Sequence, residues 1–170
     1  MDTRKRKSKD QESRVAKELS GRVTPASGAL WGAKADVRND LFLVECKTTE
    51  KSFYSLTFNT WDKVYHEAIK DSLRIPVMCI DILNGKYRYA VMCYKDLPEY
   101  NSLYSSVNSC GSKPSSYAAK SSFRVKDIGL FSLVNSRSNK AYCLVSMNWS
   151  SFLNEVVKSY EYRGKTNESK

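Results

Sequence analysis

A scarcity of histidine and of long hydrophobic runs narrows what this sequence can do. The chain contains 1 histidine, His66, which falls off the apolar stripe predicted for the helix around it and is therefore expected on a solvated surface. Catalysis by a Ser-His or Cys-His pair is accordingly not indicated. No run approaches the roughly 20 apolar residues of a membrane span, and no apolar segment follows the basic N-terminus as in a secretory signal. We expect a cytoplasmic protein that does not bind membranes.

The cysteines lack the spacings that carry known chemistry. There are 5, an odd number, with no Cys-x-x-Cys pair among them, which argues against a disulfide framework and against a zinc knuckle. Several lie in apolar, strand-like runs, where a free thiol behaves as a small buried hydrophobe. The sequence also has no Walker loop, no Gly-x-Gly-x-x-Gly and no His-Glu-x-x-His. Nucleotide-binding and zinc-protease functions are therefore not indicated.

The charge that is present is strongly biased toward basic residues. Lysine and arginine number 28 against 18 aspartates and glutamates, which gives a formal net charge of +10. Such a surface attracts polyanions, because the neutralisation of phosphates releases condensed counterions. Nucleic acid is the expected partner, and a merely solubilising surface charge is the alternative.

One domain accounts for most of the chain. The 170 residues, of which 41% are hydrophobic, suffice for a core without disulfides or a structural metal. The expected parts are a basic flexible arm at 1–9, a single domain at 10–160 and a polar tail at 161–170. Within the domain we expect a core at 10–94 and a C-terminal strand and helix at 141–160. Between them, residues 99–122 are rich in Ser, Tyr and Asn and are expected to form an irregular excursion.

Helix and strand signals are mixed along the chain. A capping box at Ser8 and a stop at Gly21 bound a first helix, whose apolar stripe includes Glu12 beside Val15 and Leu19. The first predicted elements are a helix from Ser8 or Asp10 to Ser20, two strands at 33–38 and 41–48 joined at Asn39-Asp40, and a helix at 60–73. Two strands at 76–83 and 86–94 follow, joined by the hairpin signal Asn84-Gly85. The last predicted elements are strands at 131–134 and 141–147 and a helix capped by Asn148. This order predicts an α/β or α+β fold around one central sheet.

Charged residues in the first strand pair carry the clearest chemical signal. If Asn39-Asp40 is a two-residue turn, Asp36 faces Leu43 and becomes a diagonal neighbour of Glu45, about 7–8 Å away along the backbone. Lys47 lies one step further along the same face as Glu45. Because the alternating residues are apolar, this strand is expected to be central, with its charges partly buried.

Two partly buried carboxylates need a compensating charge, and Mg²⁺ supplies one. Asp36 and Glu45 are the expected ligands, with the backbone carbonyl of Cys46 as a third and Glu12 reaching the ion directly or through water; Mn²⁺ is a substitute. Lys47 would orient an attacking water or stabilise charge that develops on a phosphate. The alternative is that Asp36 and Glu45 are ordinary exposed carboxylates, with Lys47 as a salt-bridge partner.

At these residues the sequence resembles the PD-(D/E)xK nucleases. Asp36 followed by Glu45-Cys46-Lys47, at the end of the run Leu-Phe-Leu-Val, carries the resemblance, and alanine (Ala35) takes the place of the proline before the aspartate. With Gln11-Glu12 and Pro25-Ala-Ser-Gly28 included, the sequence is most similar to the archaeal and phage Holliday junction resolvases.

The resemblance implies a restriction-endonuclease-like fold, with a central mixed β-sheet flanked by helices, and a homodimer. It implies a Mg²⁺-dependent endonuclease that hydrolyses phosphodiester bonds in branched DNA, such as four-way junctions, in the host cytoplasm if a phage encodes it. The helical glutamate (Glu12) and the hairpin carboxylates would bind the metal, and Lys47 would assist catalysis. Two alternatives are another PD-(D/E)xK nuclease, of restriction-like, nicking or repair type, and a non-catalytic DNA-binding accessory protein of recombination.

Basic residues near this site are candidates for contacts with backbone phosphates. They are Arg22, Lys34, Arg38, Lys51 and the N-terminal basic residues. Ser27 matches a phosphate-contacting serine of the archaeal resolvases, and a role as a turn residue is the alternative. For each basic residue the alternative is a solvated charge.

Overall fold

The computed structural model describes residues 3–25, 35–98, 121–126 and 128–167. The first helix, α1 (Thr3–Glu18), begins earlier than the predicted Ser8 or Asp10, so residues 3–9 belong to its first turns rather than to a separate arm. Lysine and arginine are good helix formers, and the run of basic residues therefore extends the helix. After Ser20, in the left-handed region, the N–H of Gly21 donates to the carbonyl of Ala16 at 2.8 Å, which ends α1 where glycine was predicted to end it.

The strands of the described residues are β1 (Arg22–Val23), β2 (Val37–Arg38), β3 (Phe42–Thr49), β4 (Tyr54–Thr57), β5 (Ile75–Ile82), β6 (Tyr87–Cys93), β7 (Ser122–Val125), β8 (Gly129–Asn135) and β9 (Lys140–Asn148). Seven of them form a mixed sheet, as predicted, in the order β1-β2-β3-β5-β6-β9-β8. In this sheet β3 and β5 run parallel, and the other described neighbours are antiparallel. A separate two-stranded sheet, β4-β7, was not predicted.

Strand β3 is central, as its apolar alternation predicted, because it pairs with β2 on one side and β5 on the other. The connection from β3 to β5 passes through β4 and helix α2 (Phe58–Lys70), which is capped by the Thr57 hydroxyl accepting from the Thr60 N–H at 3.2 Å. A parallel pair requires such a crossover.

Helices cover both faces of the sheet. Helix α1 and the C-terminal helix pack on the face that contains Phe42, Val44 and Cys46 of β3. Helix α2 and the small sheet pack on the other face, where Trp61 is fully buried among Met78, Ile80 and neighbouring side chains of the sheet. The strand alternation therefore separates the helix that carries Glu12 from the face that contains Leu43, Glu45 and Lys47.

The C-terminal helix follows β9 directly and is longer than predicted. It consists of an α-helical turn (Trp149–Ser151), a π-helical segment (Phe152–Val157) and an α-helix (Lys158–Asn167), so it continues through most of the predicted tail. The predicted apolar face is confirmed as a core face, since Trp149, Phe152, Val156 and Val157 are all buried. Of the predicted excursion at 99–122, residues 99–120 lie outside the described residues, and β7 begins at Ser122.

None of the helices that the structure describes has both the length and the apolar composition needed to cross a membrane.

Candidate active site

The β2-β3 hairpin turns one residue later than predicted. The backbone N–H of Asn39 donates to the carbonyl of Phe42 at 3.1 Å, so Asp40 and Leu41 form the turn instead of Asn39 and Asp40. The Asn39 side chain stabilises it, because its Oδ1 accepts from the N–H groups of Leu41 and Phe42 at 3.0 and 2.7 Å. The position of the turn is therefore fixed by the Asn39 side chain, which accepts hydrogen bonds from the backbone of the two residues that close it.

The later turn changes the partner of Asp36. Observed pairs are Val37 with Val44 and Arg38 with Leu43. The predicted pairing of Asp36 with Leu43 is therefore wrong. Asp36 instead lies just before β2 and is held against β3 by hydrogen bonds to the backbone of Val44 and Cys46, the two neighbours of Glu45.

Backbone hydrogen bonds fix Asp36 at the end of the hairpin. Its N–H donates to the Val44 carbonyl at 3.1 Å, and its side-chain Oδ2 accepts from the Cys46 N–H at 2.8 Å. The residue before it, Ala35, has φ of 62°, in the left-handed region. Proline cannot adopt that angle, which explains why alanine occupies the position.

Lys47 and Glu45 form a tight ion pair on the same face of β3. The Lys47 Nζ donates to Glu45 Oε1 at 2.6 Å, and the Glu45 side chain is 15% exposed. Burial lowers the pKa of Lys47, but the charge of Glu45, the hydrogen bond to it and the charge of Asp36 together raise that pKa above its usual value. Both carboxylates therefore attract the Lys47 ammonium group, so its Nζ lies at a point of strong negative potential.

Glu12 joins this field from α1. Ser8 Oγ donates to Glu12 Oε1 at 3.0 Å one turn earlier in the helix. The pKa of Glu12 is raised, first because the group is partly buried and further because the charges of Asp36 and Glu45 oppose its ionisation, against a lowering effect from Ser8. Since α1 packs on the other face of β3 from Glu45 and Lys47, it is the charges of Asp36 and Glu45 that link them to Glu12, and its role as a metal ligand stays a prediction.

The neighbouring glutamine holds α1 onto the sheet. Gln11 is buried, and its Nε2 donates to the backbone carbonyls of Lys47 and Cys79, each at 3.2 Å. One side chain thus ties α1 to both parallel strands beside the site. Among the described residues its Oε1 has no hydrogen-bond partner.

A second set of charged residues, which the sequence did not reveal, anchors the other side of α1. Asp81 is buried on β5, where Arg88 binds its two oxygens at 2.6 and 3.2 Å and Arg14 of α1 contacts it at 3.2 Å. Arg88 also pairs with Glu18 at 3.2 Å, and Trp149 Nε1 donates to Glu18 at 2.8 Å. A lone aspartate within the apolar run at 75–83 was the available signal of a buried ion pair.

The oxygen atoms at this site are of the type that binds a hard cation. Carboxylate and carbonyl oxygens are preferred by Mg²⁺, and Asp36, Glu45 and the Cys46 carbonyl would supply them. Among the described residues, no group of three His, Cys, Asp or Glu side chains is arranged to hold a metal ion. A metal would therefore depend on the backbone carbonyl and on water molecules in addition to the carboxylates of Asp36 and Glu45.

The predicted phosphate-binding residues are distributed around the site unevenly. Arg22 and Arg38 lie directly opposite each other in β1 and β2, and Arg38 also pairs with Asp71 at 3.7 Å. Lys51 is exposed and lines a cavity of about 430 Å³ with Lys7 and Asn84. Ser27 and Lys34 lie outside the described residues.

Tyr54 of β4 is an additional residue at the site. Its side chain is half-buried. Its pKa is raised by burial and by the charge of Glu45, against a lowering effect from Lys47, so the phenol lies within the electrostatic reach of the pair. Only the fold of β4 over the sheet brings it there.

No family model matches the chain, and neither the comparison with curated proteins nor the one with solved structures finds a match.

Proposed function

We propose that this protein is a Mg²⁺-dependent DNA endonuclease of the PD-(D/E)xK type, with a restriction-endonuclease-like fold. The observation that supports it is the Asp36 carboxylate held by the Cys46 N–H at 2.8 Å beside Glu45 of the central strand, with Lys47 held on Glu45 at 2.6 Å. Two neighbouring carboxylates and an adjacent lysine are the groups that metal-assisted hydrolysis of a phosphodiester requires.

The roles of the residues follow from their contacts. Asp36 and Glu45, with the Cys46 carbonyl, would hold a divalent ion, which when bound polarises a phosphoryl oxygen and lowers the pKa of a coordinated water. The Cys46 N–H keeps the Asp36 carboxylate in place. Lys47 Nζ orients the attacking water and stabilises charge on the phosphate. Glu12, whose pKa is raised first by burial and further by the charges of Asp36 and Glu45, contributes to the same ion directly or through water.

The basic surface supports DNA as the substrate. The net charge of +10 favours a polyanion. Arg22 and Arg38 are directly opposed across β1 and β2, and like charges in that arrangement destabilise a strand pair. Asp71, 3.7 Å from Arg38, offsets part of this repulsion, and a DNA backbone phosphate would offset more of it.

Branched DNA, above all the four-way junction, is the proposed substrate class, and the proposed assembly is a homodimer. A junction is resolved by two symmetric incisions, whereas each chain has one candidate site. A two-fold symmetric dimer, the commonest oligomer symmetry, would provide both sites.

Cleavage of labelled four-way junction, flap, duplex and single strand in Mg²⁺ tests the proposal, together with the solution mass by light scattering. Asp36→Asn, Glu45→Gln and Lys47→Ala should each lower the cleavage rate by about 10²–10³ while DNA binding is retained. Glu50→Gln is the matched control, because Glu50 is an exposed carboxylate close in sequence to the site.

The possible outcomes separate the alternatives. A monomer that cuts all substrates equally contradicts the resolvase assignment and leaves a less selective nuclease. Binding without cleavage in Mg²⁺ or Mn²⁺ would leave a non-catalytic accessory protein. Near wild-type cleavage by any of the three site variants would remove that residue from the mechanism.

A further inference from the structure

A groove beside Glu12 has the composition of an anion site. It lies between α1 and β1, has a volume of about 430 Å³, and is lined by Lys5, Ser8, Lys9, Glu12, Val23 and Thr24. This α1–β1 groove exists because residues 3–9 are helical, which places Lys5 and Lys9 one turn apart on one side of α1.

The two lysines of the groove lack acidic partners. In the described part of the chain neither Lys5 nor Lys9 forms an ion pair, whereas Lys7, between them in sequence, contacts Glu50 at 3.6 Å and Asn84 at 2.9 Å. The charge of Lys9 acts on Glu12 and opposes the rise of its pKa. The side of α1 that faces the groove therefore keeps its positive charge available for a ligand.

Thr24 supplies an independent sign of a ligand. The residue is 3% exposed, and its Oγ1 has no hydrogen-bond partner among the described residues. A buried hydroxyl without a partner is costly, and binding sites are where such groups are retained. The Thr24 N–H donates to the Asp36 carbonyl at 2.9 Å, so this hydroxyl is held next to the candidate metal ligand.

We infer that the α1–β1 groove binds a backbone phosphate of the DNA strand that is cut, next to the scissile phosphate. This inference rests on the proposed function and adds the path of the strand. Lys5 and Lys9 contact phosphate oxygens as cations, and the Thr24 hydroxyl donates to them. A phosphate fits because it brings an acceptor to the unpaired hydroxyl while its charge is balanced by the two lysines.

Binding of the wild-type protein to a fluorescent four-way junction tests this groove, measured by anisotropy over a series of salt concentrations. EDTA is present, so no cleavage occurs. Lys5→Ala/Lys9→Ala should weaken binding at least about tenfold and reduce the salt slope by about 1, because the two lysines together neutralise about one phosphate. Lys17→Ala/Lys70→Ala removes the same charge from two exposed lysines that do not line the groove, and its slope should equal that of the wild type.

Thr24→Val distinguishes a ligand contact from a structural role. It should weaken junction binding about three- to tenfold, yet leave the Tm equal to or above that of the wild type, because valine removes an unsatisfied buried hydroxyl at nearly constant volume. A lowered Tm with unchanged affinity would overturn the assignment.

The remaining outcomes separate this inference from the proposed function. If the wild type cuts DNA but the groove variants bind like the control pair, the groove assignment fails and the nuclease stands. If the wild type neither binds nor cuts DNA, both fail. If millimolar inorganic phosphate raises the Tm of the wild type but not of Thr24→Val, the groove is a free-anion site and the strand path is wrong.

Discussion

Two glutamates of α1, six residues apart, lie in opposite electrostatic surroundings. Glu12 is near Asp36 and Glu45, and burial together with their charges raises its pKa. Glu18 instead accepts hydrogen bonds from Arg88 and from the indole of Trp149. The charge of Glu12 is therefore unfavourable in the folded protein and would be compensated by the proposed metal ion, while Glu18 stabilises the docking of α1.

Exchange of each glutamate for glutamine should separate these roles. We expect Glu12→Gln to lower cleavage strongly and to leave the metal-free Tm unchanged or raised, since a repelled charge is removed. Glu18→Gln should keep cleavage near the wild-type rate and lower the Tm, since it weakens the ion pair with Arg88. Cleavage assays and thermal melts of both variants check this. The opposite order of cleavage losses would identify Glu18 as the ligand.

The hydrogen bonds of Asp62 should make the stability of the protein depend on pH in the acid range. Burial raises the pKa of Asp62, but hydrogen bonds from Lys140 and Tyr142, each 2.7 Å long, outweigh it and lower the pKa. A lowered folded-state pKa stabilises the protein above the unfolded-state pKa, and this contribution is lost as pH falls through the folded-state value.

Asp62→Asn should accordingly lower the Tm by about 1–2 °C at about pH 6, and the difference from the wild type should shrink as pH falls through the lowered folded-state pKa of Asp62. Melting curves of the two proteins across this range measure the effect. A difference that grows toward low pH would mean that the Asp62 pKa is raised rather than lowered.

At the scale of elements, α1 is held on the sheet by buried polar contacts as well as by its apolar stripe. Asp81 binds Arg88 through both oxygens and Arg14 through one, and Gln11 binds the carbonyls of two strands. Removal of one member of a buried ion pair leaves the other uncompensated, which costs far more than the pair contributes.

Asp81→Asn should therefore lower the free energy of unfolding by about 3 kcal/mol and reduce cleavage as well, because α1 positions Glu12. Denaturant melts measure the first effect and cleavage assays the second. The double variant Asp81→Leu/Arg88→Met is the control, and it should be more stable than Asp81→Asn, since neither charge is left buried alone. If Asp81→Asn were as stable as the wild type, the network would not anchor α1.

At the scale of the whole molecule, the proposed metal site would couple metal binding to stability. Burial raises the pKa of Glu12, and the charges of Asp36 and Glu45 raise it further, so these carboxylates repel one another. A cation that binds only the folded protein stabilises it by mass action.

Mg²⁺ or Mn²⁺ should raise the Tm in a concentration-dependent way. At a metal concentration tenfold above Kd, the free energy of unfolding should rise by about 1.4 kcal/mol. The increment should disappear in Asp36→Asn and persist in Glu50→Gln. Differential scanning calorimetry in the absence of DNA measures it. Flat melting temperatures across millimolar metal would contradict a preformed metal site.

Local patterns by themselves determined much of this protein. The apolar alternation of Phe42, Val44 and Cys46 identified β3 as central, and the stripe from Trp149 to Val157 identified a core helix. Such periodicities depend only on which face of an element is buried, so they are readable from neighbouring residues. The shared face of Glu45 and Lys47 follows from the same rule.

The tertiary structure alone decided the contacts between segments distant in sequence. The Asn39 side chain shifted the turn by one residue, so that Arg38 rather than Asp36 pairs with Leu43. The two possible turns differ little in local preference. Packing brought Asp81 to Arg14, Tyr54 to Lys47 and Thr24 to the groove beside Glu12. These contacts depend on how helices cross the sheet and which strands pair, and no periodicity within a single segment encodes that choice.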